Sequence, residues 1–134
     1  MVTREDIESF LDRLGADGAS HTEVEEGMWV VRPGGELDFD LVVHYEPPVA
    51  VMRAKVMPLP EDDSQCSALA RRLLELNASD LVHGAYGIEG DWIVITEAME
   101  LGHLDFEEFL ACYESITLAL ASHLREFASF REAR

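Results

Sequence analysis

The sequence predicts an α+β fold, a twisted antiparallel sheet with helices packed on it, in the element order α-β-β-β-α-β-β-α. Residues 37–46 alternate apolar and polar side chains, which is typical of a strand with one face buried. Three other stretches place apolar residues three or four positions apart, the spacing of an amphipathic helix. Because a sheet with one solvated face favours antiparallel strands, we expect hairpins rather than parallel crossovers.

The composition is that of an ordinary globular protein, with 48% hydrophobic and 28% charged residues. A length of 134 residues fits one domain spanning 1–134. No apolar run approaches the roughly 20 residues of a membrane span, and the N-terminus lacks the basic-then-apolar layout of a signal peptide. We therefore expect a cytoplasmic protein, a compartment that the two cysteines, Cys66 and Cys112, also fit.

Net charge is the strongest compositional feature, because 27 acidic residues outnumber 10 basic ones and give a formal charge of −17. Such a surface repels phosphate backbones and anionic membranes, so we expect no nucleic-acid or membrane partner. Two interpretations remain open: the acidity serves solubility alone, or it favours basic or aggregation-prone polypeptide partners.

The first helix begins with a capping box, in which Thr3 is the N-cap and Asp6 its partner three residues later. Gly15 is expected to end this helix in the left-handed conformation. Between them lies one apolar stripe for burial, formed by Ile7, Phe10, Leu11 and Leu14.

The central segment predicts a strand over Glu23–Arg32, with an interruption at Gly27 left open, and then a hairpin of Leu37–Glu46 with Val49–Met57. An even-length loop at Pro47-Pro48 places Asp40 opposite Lys55 and Val42 opposite Arg53. In that register the inner face is wholly apolar, and a slip by one residue would mix the faces. The inner face then carries Leu37, Phe39, Leu41, Val43, Tyr45, Ala50, Met52, Ala54 and Val56, and the outer face Asp40, His44, Arg53 and Lys55.

A second helix and a second hairpin follow. Acidic residues 61–63 suit the helix N-terminus, and Cys66 is interpreted as a small core residue. The hairpin pairs Leu81–Ile88 with Trp92–Glu97. Gly84 and Gly87 interrupt its first strand, which indicates a bulge or the close approach of a packed helix or of a second chain.

The last helix begins at Asp105, an N-cap with Glu108 at the capping-box position, and we expect it to reach about residue 129. Leu104 is placed to pack on Phe109 as a hydrophobic staple. Its middle, Ile116–Ala121, is apolar nearly all round, which indicates burial on two sides. Deep burial within the chain and packing against a second subunit both explain this.

A search for chemistry finds no P-loop, dinucleotide, nucleophile-elbow or zinc-protease motif. His83 is interpreted as a structural histidine, and Cys112 has no basic neighbour or helix N-terminus to activate its thiol. We therefore predict no catalytic residue, no metal ligand and no cofactor. A small enzyme using Cys112 or a histidine is the less favoured alternative.

Two segments carry a resemblance: LLELNASDLVHGAYGIEGDWIVIT, which starts at Leu73, and DLVVHYEPPVAVMRAKVMPLP, which starts at Asp40. From Met28 to Phe127 the layout resembles the YbjN-like group of bacterial type III secretion chaperone-like proteins, which include the CesT family. The resemblance implies an acidic, non-enzymatic protein, commonly a homodimer, that holds a segment of a partner in extended form. The matching positions are structural, with Asn77 expected to end its helix. They are Leu73, Leu76, Asn77, Gly84, Tyr86 and Gly87.

The sequence thus predicts a cytoplasmic homodimer that binds a protein or peptide segment, without enzymatic activity. The alternatives are a YbjN-like regulator of bacterial sensing or stress responses that binds a folded protein, and a structural oligomer subunit. Binding would use backbone pairing at a sheet edge, or apolar side chains in grooves between helix and sheet. The candidate partner or dimer contacts are His44, Val49, Val51, Arg53, Gly84, Tyr86 and Leu120.

Overall fold

The computed structural model describes residues 1–35 and 39–132, without the side chains of 17, 131 and 132. Within these residues the order is α-β-β-β-β-α-β-β-α, so the α+β class is confirmed, with one strand more than the sequence predicts. The elements are α1 (Arg4–Leu14), β1 (Ser20–Glu25), β2 (Met28–Arg32), β3 (Leu41–Glu46), β4 (Val49–Pro58), α2 (Asp63–Ser79), β5 (Ala85–Glu89), β6 (Trp92–Glu100) and α3 (Phe106–Glu132).

The six strands form one antiparallel sheet in the order β1-β2-β3-β4-β6-β5, so β1 and β5 are its edges. The additional strand arises at Gly27, whose φ of +76° allows a tight turn between β1 and β2. The predicted Glu23–Arg32 strand is therefore a hairpin, and β1 begins earlier, at Ser20.

The β3–β4 hairpin has the predicted register, since Val42 lies opposite Arg53 and Leu41 opposite Ala54. Strand β3 begins at Leu41, four residues later than predicted, and Leu37 and Asp38 lie outside the described residues. Along the regular part of the hairpin the inner face is apolar and buried, and the cis Pro47-Pro48 bond lies in the connecting turn.

The helices share one hydrophobic core with the inner face of the sheet. Trp29, Met52 and Ile95 from the sheet meet Leu11 of α1, and the same core includes Leu69 from α2 and Phe109 from α3. The 27 residues of α3 extend over about 40 Å, slightly beyond the predicted end. Among the described residues, none of the helices has both the length and the apolar character to cross a membrane.

Helix boundaries confirm some predictions and correct others. The capping box of Thr3 and Asp6 is present, and Asp105 Oδ1 accepts the Glu108 N–H at 2.8 Å. Gly15 is right-handed, with φ −58°, and starts a 3-10 turn (Gly15–Asp17) that ends at the left-handed Gly18, so the predicted role belongs to Gly18.

The second helix and hairpin differ from prediction in four details. Helix α2 continues past Asn77 to Ser79, and Cys66 is half-buried rather than a core residue. Strand β5 begins at Ala85, not at residue 81. The predicted close approach is present at Gly84, where an added Cβ would lie 3.4 Å from Ile116 Cγ1 of α3, and absent at Gly87, which has open space around it.

Candidate functional site

Among the described residues, no helix packs on one face of the sheet, because the helices cover the opposite face. On it, Met28 lies opposite His44 and His44 opposite Val51, while Val30 lies opposite Val42 and Val42 opposite Arg53. We call this the open sheet face and define it by six residues: Met28, Val30, Val42, His44, Val51 and Arg53. The apolar members are half-buried by their neighbours, and a shallow depression of about 190 Å³ lies among Met28, Val42, His44, Glu46, Val51 and Arg53.

The open sheet face is less acidic than the charge of the chain suggests. Arg53 pairs with Glu89, with 2.9 Å between Nη1 and Oε2, and His44 Nδ1 lies 3.4 Å from Glu46 Oε1. Lys55 lies over the Trp92 ring, 5.0 Å from its centroid. Cationic groups beside β-branched side chains give this face a mixed apolar and polar character, as interfaces with non-obligate partners have.

The β5 edge of the sheet is paired by a side chain. The Asn77 amide donates from Nδ2 to the Tyr86 carbonyl at 3.0 Å, and its Oδ1 accepts the Tyr86 N–H at 2.7 Å. The amide therefore makes both hydrogen bonds that a neighbouring strand would make there. A further strand could not pair with β5 at Tyr86 without displacing Asn77.

The β1 edge is different, since five of its six residues are exposed. Arg4 of α1 forms an ion pair with Glu23, and this hydrogen bond is the main reason why the pKa of Glu23 is lowered. Arg4, Glu5, Glu23, Val24, Glu25 and Glu26 line an acidic depression beside this strand. An added strand with basic side chains would fit this edge electrostatically.

The predicted contact residues do not form one surface. His44, Val51 and Arg53 meet on the open sheet face, and Val49 lies at the start of β4, opposite Glu46 and Glu100. Tyr86 and Leu120 are 5% and 1% exposed, because both belong to the core of the chain itself. Gly84 faces Ile116 within the same chain. Three further residues of the open sheet face, Met28, Val30 and Val42, were not predicted as contacts, although their alternation with buried neighbours could have located them.

Tyr86 belongs to a polar network that the sequence did not reveal. Its hydroxyl lies 2.7 Å from His123 Nδ1, and His123 Nε2 lies 3.2 Å from Asp80 Oδ2. Burial raises the pKa of Tyr86, and the hydrogen bond with His123 lowers the pKa of Asp80. This network connects β5, α3 and the end of α2, and it stabilises their packing.

Three potential metal ligands converge where the 81–84 loop, β6 and α3 meet. The ligand atoms of His83, Glu97 and Cys112 all lie within 4.8 Å of one another. Burial, with smaller effects of Glu97 and Glu108, raises the pKa of the Cys112 thiol to about 12, so this thiol is protonated at neutral pH. A protonated thiol is a poor nucleophile.

The model of the family CesT_Tir_1 matches residues 2–133. The chain belongs to the CesT_Tir_1 family. The predicted resemblance to CesT-type and YbjN-like proteins is therefore confirmed. A search of curated proteins finds no significant match.

Solved structures share the CesT_Tir_1 fold of this chain. A chain of the heterodimeric ExoU–SpcU complex from the type III secretion system of Pseudomonas aeruginosa is 12% identical, with a TM-score of 0.69 over 89% of this chain and 95% of that chain. YbjN, a putative transcription regulator from E. coli, is 17% identical, with a TM-score of 0.63 over 94% and 96%. A chain of the HopA1–SchA chaperone–effector complex is 13% identical, with a TM-score of 0.58 over 95% and 94%. At such identities the likeness shows a shared fold.

Proposed function

We propose that this protein is a non-enzymatic, chaperone-like module that binds an extended segment of a partner polypeptide, acting as a homodimer in the cytoplasm. The observation that carries the proposal is the open sheet face, a row of half-buried β-branched side chains without a helix over it. Membership of the CesT_Tir_1 family and the likeness to chains of chaperone–effector complexes support it.

The partner segment would lie across the open sheet face. Val30, Val42 and Val51 provide apolar contact area, while Arg53 and His44 provide hydrogen-bond donors for carbonyl or carboxylate oxygens. The acidic β1 edge adjoins this face through β2 and offers backbone pairing to the same segment. A segment with apolar and basic side chains complements both surfaces.

The chemistry of the described residues supports a binding role rather than catalysis. The raised pKa of Cys112 works against a nucleophilic role. The pKa shifts of Asp6, Glu23, Asp62 and Asp80 follow from helix caps or ion pairs, which are structural causes.

A second candidate function is the regulator, in which the partner is a folded protein. The structural likeness to YbjN, whose description is that of a putative transcription regulator, favours it. The open sheet face would then contact a preformed surface instead of an extended segment. The two candidate functions differ in whether the protein binds an extended segment or a folded partner.

The proposal is tested by affinity capture from the native host lysate with the wild-type chain and with a Val42→Lys/Val51→Lys double variant. We expect the wild type to retain specific proteins that the double variant loses. Binding by the double variant would bury the two introduced lysine charges without partners, which is costly. The matched control is Ile88→Lys, which changes an exposed apolar strand residue outside the open sheet face and should retain the same proteins.

Equal capture by all three proteins, or recovery of the bait alone, would contradict this use of the open sheet face. For a retained partner, overlapping peptides of its sequence then separate the two functions. Binding of one isolated peptide supports the chaperone-like function. Binding of the intact folded partner alone supports the regulator.

A further inference from the structure

The convergence of His83, Glu97 and Cys112 has the composition and spacing of a metal site. The three come from different parts of the chain: the loop before β5, strand β6 and helix α3. Cys112 Sγ lies 3.7 Å from His83 Nδ1. A sulfur and a nitrogen bound tetrahedrally to one zinc ion are about 3.5 Å apart, given bonds of roughly 2.3 and 2.0 Å.

A fourth ligand is available from Glu108, one helical turn before Cys112 on α3. Its Oε1 lies 4.0 Å from Cys112 Sγ. Residues four apart on a helix share one face, so Glu108 and Cys112 project from the same side of α3. Glu97, Glu108 and Cys112 also line a cavity of about 520 Å³, which gives an ion a path from solvent.

Backbone contacts hold the ligands in place. The Gly84 N–H donates to Glu97 Oε2, and the His83 N–H donates to Ser115 Oγ at 3.3 Å. These hydrogen bonds connect the loop to β6 and to α3, the two elements that supply the other ligands. Such outer-shell partners orient ligands in metal sites.

We propose that His83, Glu97 and Cys112, with Glu108 as the fourth ligand, bind a thiophilic divalent cation of the zinc class. Thiolate and imidazole select zinc over magnesium or calcium, which prefer oxygen ligands. Binding of the ion would release the proton of the Cys112 thiol to solvent. Four protein ligands leave no open coordination position, so the ion would be structural and would fasten the 81–84 loop and β6 to α3. The sequence predicts no metal, because the ligands lie apart along the chain and form no motif.

The test is a titration of the chelator-treated, full-length chain with Co²⁺. We expect one equivalent to produce the near-ultraviolet thiolate-to-cobalt charge-transfer band and the intense visible bands of tetrahedral cobalt, and Zn²⁺ to abolish both by displacement. Cys112→Ser should lose the charge-transfer band. His83→Ala should weaken Co²⁺ binding by at least about tenfold, because even outer-shell partners contribute 10- to 100-fold.

The matched control is Cys66→Ser, which removes the other cysteine, on α2, and should keep the spectrum. If a variant does not fold, the wild type still decides: its thermal midpoint should rise with Zn²⁺ and not with Mg²⁺. Absence of the charge-transfer band in the wild type, or its loss in Cys66→Ser and not in Cys112→Ser, would overturn the proposal. An equal response to Zn²⁺ and Mg²⁺ would do the same.

Discussion

At the residue scale, Asn77 is the most informative single side chain. Its amide satisfies both outward-facing backbone groups of Tyr86. Asn77→Ala should lower the free energy of unfolding by about 2 kcal/mol, because a partly buried donor and a partly buried acceptor lose their partners. Urea denaturation followed by circular dichroism measures this.

A control variant for Asn77 is available on the same helix. Ser79→Ala removes an exposed hydroxyl that bonds to the carbonyl of Glu75 and to Asp80, and it should change stability by less than about 0.5 kcal/mol. Equal stabilities of the two variants would show that the Asn77 amide does not hold β5.

The hydrogen bond of Asp80 with His123 predicts an acid-dependent loss of stability. The pKa of Asp80 is lower in the folded chain than its ordinary value of 3.8, so the folded state binds its proton less tightly than the unfolded state. The stabilisation is therefore present above the unfolded pKa and is lost as pH falls through the folded pKa. Unfolding midpoints in urea should fall more steeply below about pH 4 for the wild type than for Asp80→Asn. Parallel profiles would refute this contribution.

At the element scale, the β5–β6 hairpin requires glycine at position 84 but not at position 87. Gly84 has φ +84°, and an added Cβ would lie 3.4 Å from both Ile116 Cγ1 and the Thr96 carbonyl oxygen. Gly84→Ala should therefore cost about 2 kcal/mol of stability, chiefly from backbone strain at this positive φ, with the added Cβ at the close limit of ordinary contact with α3. Thermal or urea unfolding measures the cost.

Gly87→Ala is the matched control on the same hairpin. An added Cβ has open space there, so the variant should be neutral or slightly stabilising. If both variants lose the same stability, the packing of α3 on Gly84 is not the cause.

Element boundaries were predictable where local chemistry determines them. The capping box at Thr3, the N-cap at Asp105 and the register of Val42 with Arg53 follow from neighbouring residues alone. The end of α2 was not predictable in this way. Asn77 tolerates a left-handed helix end, but its bonds to Tyr86, nine residues later, keep it inside the helix.

At the scale of the whole molecule, the proposed homodimer needs an apolar contact surface, and an exposed leucine of α3 is a candidate for it. Ile116, Ala119 and Leu120 are buried within the chain, which accounts for most of the apolar middle of α3, while Leu118 is 66% exposed. We predict that light scattering after gel filtration gives twice the chain mass of 15.0 kDa. Leu118→Asp should give the monomer mass, because an unpaired carboxylate in the contact is costly.

Leu74→Asp, at a 69% exposed leucine of α2, is the control and should remain a dimer. A wild-type monomer at high micromolar concentration would contradict the homodimer. Loss of the dimer in both variants would show that Leu118 is not a specific contact.

The candidate sites were less predictable than the fold, because they depend on which residues tertiary structure brings together. His44, Val51 and Arg53 were found because alternation along one hairpin places them on one face. Tyr86 and His123 are 37 residues apart, and His83 and Cys112 are 29 apart, so no local pattern relates them. Composition indicated an acidic protein and gave no information on where its few cations lie.

The two edges of the sheet also limit how copies of this chain could associate. Because the Asn77 amide occupies the pairing position at Tyr86, the second residue of β5, strand addition between copies is favoured at the exposed β1 edge of both partners. Pairing of like edges generates a closed twofold pair, whereas pairing of unlike edges would extend without limit into fibres. The Asn77 amide thus works against strand addition at the β5 edge, which an open-ended arrangement would need.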